Sequence, residues 1–142
     1  MEPLVTEQEL LEAVIDTAHA FGWRATHFRP AKTERGWRTA VQADGKGWPD
    51  LTLVRERVVY AELKAGRNVL SAEQELWVAA LDAAGAEIYV WRDGDWIDGT
   101  IERTLRRRDR EAFARLTAAS SGDRAHAQRV QATVDRARWF GR

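Results

Sequence analysis

GWPDLTLVRERVVYAELK, at residues 47–64, predicts two adjacent β-strands joined by a tight turn. Asp50 opens the first strand directly after a Trp-Pro step, which disfavours a helix at that point. Glu62 and Lys64 lie two residues apart near the end of the second strand, so their side chains share one face of the sheet. The stretch therefore predicts that two carboxylates and an ammonium group converge on one point.

Two carboxylates beside an ammonium group are suited to binding a hard cation that prefers oxygen ligands. Asp50 and Glu62 supply anionic oxygens of the kind that Mg²⁺ prefers, and the backbone carbonyl of Leu63, between the two functional side chains, is a candidate extra ligand. A bound cation polarises a phosphate and lowers the pKa of a coordinated water. Lys64 is then expected to hold that water and to offset charge in the transition state. The pattern indicates phosphodiester hydrolysis.

Four segments, in this order, resemble the VRR-NUC branch of the PD-(D/E)xK nuclease superfamily. Pro49 and Asp50 match the PD of that superfamily, and residues 62–64 match its ExK. In the resembled family a Gln on the helix after the ExK strand belongs to the active-site motif, and Gln74 occupies that position. The resemblance covers about residues 5–98 and is carried by GWPDL (47–51), AELK (61–64), LSAEQELW (70–77) and AGAEIYVW (84–91).

The resemblance implies a restriction-endonuclease-like α/β core and a DNA endonuclease that depends on Mg²⁺, for which Mn²⁺ is expected to substitute. It implies that Gln74 positions water or phosphate, and that a Glu on the first helix, here Glu7, contributes to the metal site. Stand-alone proteins similar to this one are often phage or bacterial, and some cut four-way DNA junctions as homodimers. We therefore expect branched DNA as substrate and a homodimer, because symmetric junction cutting needs two active sites.

Two other functions are compatible with the same residues. One is a flap, nicking or single-strand nuclease, which keeps the mechanism and changes the substrate. The other is a non-catalytic DNA-binding module that keeps the fold. The presence of Asp50, Glu62 and Lys64 together favours an enzyme.

Each of these residues also has a purely structural interpretation. An Asp after Pro often serves only as a turn or strand-entry residue. Glu62 and Lys64 can form a solvated pair worth under about 1 kcal/mol. However, the apolar run 58–61 before them is typical of a strand buried on both faces, where unpaired charges are costly. Ser71 and Gln74 fit a helix capping box, so Gln74 is a cap, a site residue or both.

Composition limits the class of protein. A chain of 142 residues suits one domain with a short appendage. Cysteine is absent, which excludes disulfides and thiolate zinc sites, and the three His residues lack zinc spacing. No apolar run is long enough for a membrane span and the N-terminus has no signal-peptide pattern. We therefore expect a cytoplasmic protein without a membrane partner, located in the host cytoplasm if it is phage-encoded.

The net charge of zero conceals a division of the chain into an acidic body and a basic tail. Residues 103–142 carry eleven Arg, no Lys and four acidic residues, a net charge of +7, so residues 1–102 carry −7. Such a tail suits binding to phosphate oxygens. An Arg-rich helix exposed to solvent, without a binding role, is the alternative.

The predicted elements follow the order α-β-β-β-α-β, which gives a mixed sheet flanked by helices. A capping box at Thr6 opens a helix to about Phe21, followed by strands at 23–29, 51–55 and 58–64, a helix at 72–84 and a strand at 87–91. In the second helix, the side chains expected to face inward are Leu76, Trp77, Ala80 and Leu81. After a turn at 93–95, helices are predicted at 99–108, 110–119 and 123–140, with a break at 120–122. We place the nuclease core at residues 1–98 and a helical, Arg-rich extension at 99–142.

Contacts to nucleic acid are predicted outside the pair of strands. His27 lies on the strand before the site and is either a phosphate contact or a structural residue. Residues 30–46 form a long, polar segment punctuated by glycine, which favours a functional or mobile loop over a structural one. The candidate nucleic-acid-binding residues are His27, Lys32, Arg35, Arg38, Lys46 and Arg67.

Overall fold

The structure, a computed structural model, describes residues 4–28, 31–38, 41–122, 128, 131–133 and 135. Arg29, the predicted end of the first strand, and most of the predicted helix 123–140 lie outside the described residues. The chain divides into two compact units, Met1–Arg107 and Arg108–Arg142. The first unit therefore extends beyond the core boundary that we predicted at residue 98.

Within the described residues, eleven helices and strands have defined bounds. The helices are α1 (Glu7–Ala20), α2 (Ala72–Ala83), α3 (Asp93–Ile97), α4 (Thr100–Arg106) and α5 (Arg110–Gly122). The strands are β1 (Arg24–Thr26), β2 (Ala31–Thr33), β3 (Gly36–Arg38), β4 (Leu51–Val54), β5 (Val58–Lys64) and β6 (Glu87–Arg92). Within the described ranges, none of the helices combines the length and the apolar character that crossing a membrane requires.

The main sheet has four strands in the order β1-β4-β5-β6. β4 pairs antiparallel with both β1 and β5, whereas β5 and β6 are parallel because α2 crosses between them. The predicted class, α/β with a mixed sheet flanked by helices, is confirmed, and so is the order of its core elements. β2 and β3 form a separate antiparallel hairpin.

One face of the main sheet packs against α1 and α4 to form the core. Strand alternation and the register of β4 with β5 place the apolar positions opposite each other, with Leu51 facing Ala61 and Leu53 facing Val59. α1 presents a buried stripe at helical spacing, and α4 adds two more buried side chains. The core residues from these helices are Leu10, Leu11, Val14, Ala18, Ile101 and Leu105. Because α4 contributes to this core, it belongs with the first unit.

α2 differs from its prediction. It has no buried residues, and Leu76, which was predicted to face inward, is 71% exposed. Ala80 is exposed as well, while Trp77 and Leu81 are half-buried. The prediction was therefore wrong for Leu76 and Ala80, because the helix is oriented by Trp77, which packs on the loop before β4.

Three further predictions need correction. The segment 30–46 contains the β2–β3 hairpin and is not a loop throughout. α3 occupies Asp93–Ile97, where a turn was predicted, and Asp95 Oδ2 accepts from the backbone N–H of Arg92 at its start (2.8 Å). α5 continues through the predicted break at 120–122. In the second unit Asp109 caps α5, where its Oδ1 accepts from the backbone N–H of Ala112 (3.0 Å).

The turn between β4 and β5 carries two buried arginines, at the end of β4 that lies away from Asp50. The guanidinium groups of Arg55 and Arg57 lie 4.4 and 4.8 Å from the centroid of the Trp23 ring. Arg55 and the indole N–H of Trp23 both donate to the carbonyl of Leu105, at 3.0 and 2.9 Å, and Arg57 donates to that of Thr104 at 2.9 Å. These three side chains satisfy carbonyls at the end of α4 and tie that helix to the sheet.

Candidate active site

Asp50 lies at the entry to β4 and is held from two sides. Its Oδ2 accepts a hydrogen bond from the backbone N–H of Leu63 on β5, at 2.8 Å. Its backbone carbonyl lies 2.8 Å from Nδ1 of His27. A carbonyl only accepts, so Nδ1 of His27 carries the proton and donates it. His27, predicted as a phosphate contact or a structural residue, thus fixes the backbone that presents Asp50.

Glu62 is the buried centre of the site. Its side chain is 1% exposed, and its Oε1 lies 4.0 Å from Nζ of Lys64, on the same face of β5 as predicted. Its Oε2 is buried and has no hydrogen-bond partner. Burial, followed by the adjacent Asp50 carboxyl, raises the pKa of Glu62 to about 8, and Lys64 only partly opposes this.

Gln74 connects the helix cap to this carboxylate. Its Oε1 accepts from the backbone N–H of Ser71 at 2.8 Å, and its backbone N–H donates to Oγ of Ser71 at 3.2 Å. Because the Ser71 N–H can only donate, the amide orientation is fixed, and Nε2 donates to Oε1 of Glu62 at 2.8 Å. The two interpretations of Gln74, cap and site residue, are therefore compatible in a single side chain.

The loop that delivers Asp50 is packed tightly against the first turn of α2. Gly47 has φ +85°, and a Cβ at that position would lie 2.6 Å from the carbonyl carbon of Glu73. The indole N–H of Trp77 donates to the carbonyls of Asp44 (2.9 Å) and Lys46 (3.1 Å). The loop and α2, which carry Asp50 and Gln74 respectively, thus position each other.

Edge-on aromatic contacts extend this packing to the sheet. The Trp48 ring meets Trp77 edge-on at 4.8 Å and Tyr60 of β5 at 5.6 Å. Sequence patterns missed this aromatic cluster, because Trp48 and Trp77 belong to different motifs and their contact depends on the tertiary fold.

The other predicted site residues lie around this centre. Oε1 of Glu7 accepts from the backbone N–H of Ala65 (3.4 Å) and from the side chain of Asn68 (3.2 Å), just beyond β5. Leu63 contributes its N–H to Asp50, as described above. Lys46 forms an exposed ion pair with Glu73 at 3.2 Å.

The remaining nucleic-acid candidates are divided between two places. Arg67 is exposed in the turn that follows β5. Arg35 is exposed in the turn of the β2–β3 hairpin, Lys32 lies on β2, and Arg38 lies on β3. The structure thus brings Asp50, Glu62, Lys64 and Gln74 together, whereas the hairpin residues belong to a separate sheet.

Asp93 supports the turn that carries Arg67, a role that sequence patterns did not suggest. Its carboxylate accepts from the backbone N–H groups of Leu4 (2.9 Å) and Gly66 (3.3 Å). The hydrogen bond from the backbone N–H of Leu4 is the main reason why the pKa of Asp93 lies below the ordinary value for an Asp. The residue therefore stays ionised and links the start of the chain to the loop after β5.

The carboxylates of Asp50 and Glu62 are suited to a hard cation that takes few ligands from the protein. Among the residues that the structure describes, no group of three or more His, Cys, Asp or Glu side chains is arranged to hold a metal ion. However, the buried Oε2 of Glu62 lies beside the Asp50 carboxyl, where a proton or a cation would satisfy it. Mg²⁺ commonly takes one or two protein carboxylates and completes its shell with water and phosphate oxygens. Asp50 and Glu62 fit that requirement.

Compared with known proteins, the chain matches no protein-family model, no curated protein and no solved structure. The arguments for function therefore rest on the motif residues and on the geometry of the site.

Proposed function

We propose that this protein is a metal-dependent DNA endonuclease with a restriction-endonuclease-like core. The observation that carries the proposal is the buried Glu62, whose Oε2 has no partner and whose neighbours are Asp50 and Lys64. Buried polar atoms in folded proteins are almost always hydrogen-bonded, and exceptions often coincide with a missing ion or a catalytic role. A cation held between the two carboxylates satisfies that atom.

Each residue of the site has a defined role in this proposal. Asp50 and Glu62 would hold Mg²⁺, which would supply positive charge to the scissile phosphate and acidify a bound water. Lys64, 4.0 Å from Glu62, orients the attacking water and offsets the charge that develops on phosphate oxygens. Gln74 holds one oxygen of Glu62 by a hydrogen bond, which would leave Oε2 available to the ion.

A purely structural carboxyl pair is the competing explanation. Such a pair shares one proton and is retained for stability alone, like other coupled carboxyls at short range. A structural role does not require the ammonium group of Lys64 on the same face, and this feature favours a binding site over a structural pair.

Branched DNA as substrate and a homodimeric assembly complete the proposal, and both follow from the family resemblance. A flap, nicking or single-strand nuclease uses the same residues on another substrate. Labelled four-way junction, flap, duplex and single-stranded DNA distinguish these possibilities. Paired symmetric nicks on the junction are the result expected of a dimeric resolvase.

Cleavage by substituted proteins tests the chemistry itself. We expect Glu62→Gln and Lys64→Ala each to lower the rate by about 100-fold or more, the size of effect typical of lost electrostatic stabilisation. Glu75→Gln is the matched control, because Glu75 is exposed on α2 and the substitution is the same isosteric change. DNA binding without cleavage in Mg²⁺ or Mn²⁺ contradicts the enzyme and leaves a binding module.

A further inference from the structure

A cleft of about 1550 Å³ lies beside the candidate site, on the face of the main sheet that carries Glu62. Its floor includes Thr52 and Val54 of β4 and Thr26 of β1. Thr52 pairs with Tyr60, which lies two residues before Glu62, so these side chains share one face. The loop 41–49 forms the opposite wall.

Three exposed apolar side chains line this cleft. Phe28, Val41 and Val54 all line it, and they are 61%, 50% and 41% exposed. Clustered exposed apolar side chains mark binding surfaces more often than scattered ones do. These three side chains therefore offer apolar surface to a ligand.

Positive charge accompanies the apolar surface. Arg24 is exposed and lines the cleft, and Lys46, which also lines it, has a largely exposed side chain that pairs with Glu73 at 3.2 Å. Among the described lining residues Asp44 is the only acid. A ligand with apolar faces and negative charges matches this combination.

The cleft adjoins the segment that carries Asp50, although Asp50, Glu62, Lys64 and Gln74 do not themselves line it. Pro49 lines the cleft, and the next residue is Asp50. Thr52 follows two residues later on the same face of the sheet as Glu62. A chain of nucleotides with one phosphate at Asp50 and Glu62 would therefore pass close to the cleft.

We propose that this cleft binds unpaired nucleotides next to the scissile phosphate. The inference rests on the proposed nuclease function. Among the branched substrates it favours those with unpaired bases at the cleavage position, such as flaps, over the fully paired four-way junction. In a duplex the base faces are stacked and paired, so an apolar floor gains little from duplex DNA. Unpaired bases stack on aromatic side chains with little dependence on sequence, and cations follow the backbone phosphates.

Binding in EDTA tests the cleft independently of catalysis. The probes are labelled single-stranded DNA, single-stranded RNA of the same sequence and the corresponding DNA duplex, followed by fluorescence anisotropy. We expect the single strands to bind at least about 10-fold more tightly than the duplex. Phe28→Ala should weaken single-strand binding by about 5- to 100-fold, the range found for loss of one base–aromatic stack.

The control is Leu76→Ala, which removes an equally exposed apolar side chain on α2, outside the cleft. It should leave both affinities unchanged. Because Phe28 is exposed, its replacement should not unfold the protein, and a thermal melt of each variant checks this.

Each result has a distinct meaning. Duplex bound as tightly as single strands, or a Phe28→Ala variant indistinguishable from wild type, overturns the inference. A dimer that Phe28→Ala dissociates also overturns it, since the cleft is then an interface between copies.

Equal affinity for RNA and DNA supports a cleft that accepts either sugar, and a preference for DNA supports one that excludes RNA. Tight single-strand binding without cleavage on any substrate supports the cleft and contradicts the proposed enzyme. If the protein cleaves duplex DNA but binds single strands no more tightly than duplex, the proposed enzyme is supported and the role of the cleft is contradicted.

Discussion

At the residue scale, the candidate site depends on how single side chains distribute their hydrogen bonds. Gln74 uses its oxygen for the Ser71 cap and its nitrogen for Glu62, so one amide links helix geometry to the site. The spacing of Ser71 and Gln74 predicted the cap, and the family resemblance predicted the site role. That Oε2 of Glu62 lacks a partner was not predictable, because it depends on every group packed around that atom.

Glu62 should make the stability of the metal-free protein depend on pH. Its pKa of about 8 in the folded state lies above the value of 4.5 for an ordinary Glu, so the folded state binds the extra proton between these pH values. The stabilising contribution is complete below pH 4.5 and is lost as the pH rises through about 8. Thermal melts in EDTA at pH 5 to 9 measure the effect.

Comparison with two variants isolates that contribution. Glu62→Gln should lose the part of the pH dependence that lies between pH 4.5 and 8, while Glu75→Gln keeps the wild-type profile. Saturating Mg²⁺ should also remove this part of the pH dependence in the wild type, since the ion replaces the proton on Glu62. Parallel profiles for wild type and Glu62→Gln in EDTA would show that Glu62 titrates normally.

His27 should act through the backbone of Asp50. His27→Ala removes the donor to the Asp50 carbonyl and should cost about 0.5–1.5 kcal/mol of unfolding free energy, along with part of the cleavage rate. His27→Asn places an amide N–H near the position of Nδ1 and should recover part of both losses. Urea unfolding and cleavage rates measured on the same preparations test this. Equal stability of all three proteins argues that the bond contributes nothing.

At the element scale, the loop 41–49 and α2 form one unit that carries two parts of the site. Alternation along β5 predicted correctly that Glu62 and Lys64 share one face of the sheet. The strand was expected to be buried on both faces, but Val58 is 41% exposed. Helical spacing alone misassigned Leu76 and Ala80, because the position of α2 is set by Trp77, which binds the carbonyls of Asp44 and Lys46. Such a contact between distant segments leaves no periodic signal in the sequence.

The close approach of Gly47 to α2 gives a prediction with an internal control. Gly47→Ala combines a left-handed φ with a clash at 2.6 Å, so we expect a loss of about 2–4 kcal/mol in unfolding free energy. Gly85→Ala has a similar φ, +80°, but no atom within 4 Å of the added carbon. It should cost only about 1 kcal/mol. Urea denaturation of both variants measures the difference, and equal losses contradict the tight packing of the loop.

At the scale of the whole molecule, the division into units follows the core and not the charge. The predicted boundary at residue 98 came from the extent of the family resemblance. The observed first unit continues to Arg107 because Ile101 and Leu105 are buried in its core, and because Arg55, Arg57 and Trp23 bind the end of α4. The sequence predicted a helix in this region, but it did not indicate that the turn between β4 and β5 binds the end of that helix.

A fragment ending at Arg107 should therefore fold and keep the candidate site. Residues 108–142 contain eight Arg and four acidic residues, so their removal takes away a net charge of +4. We expect the fragment to keep metal binding and to bind DNA more weakly at low salt, with a shallower dependence of affinity on salt. An unfolded fragment, or an unchanged salt dependence, contradicts this division of roles.

The central claim is that Asp50 and Glu62 together hold a divalent cation. Titration with Mn²⁺, followed by electron paramagnetic resonance, measures that directly, without requiring the correct DNA substrate. Wild type and the control variants Glu75→Gln and Asp82→Asn, both altered on the exposed side of α2, should bind Mn²⁺ alike. Asp50→Asn and Glu62→Gln should lose the bound ion. Mn²⁺ binding that is absent from wild type, or that survives in both site variants, contradicts the account.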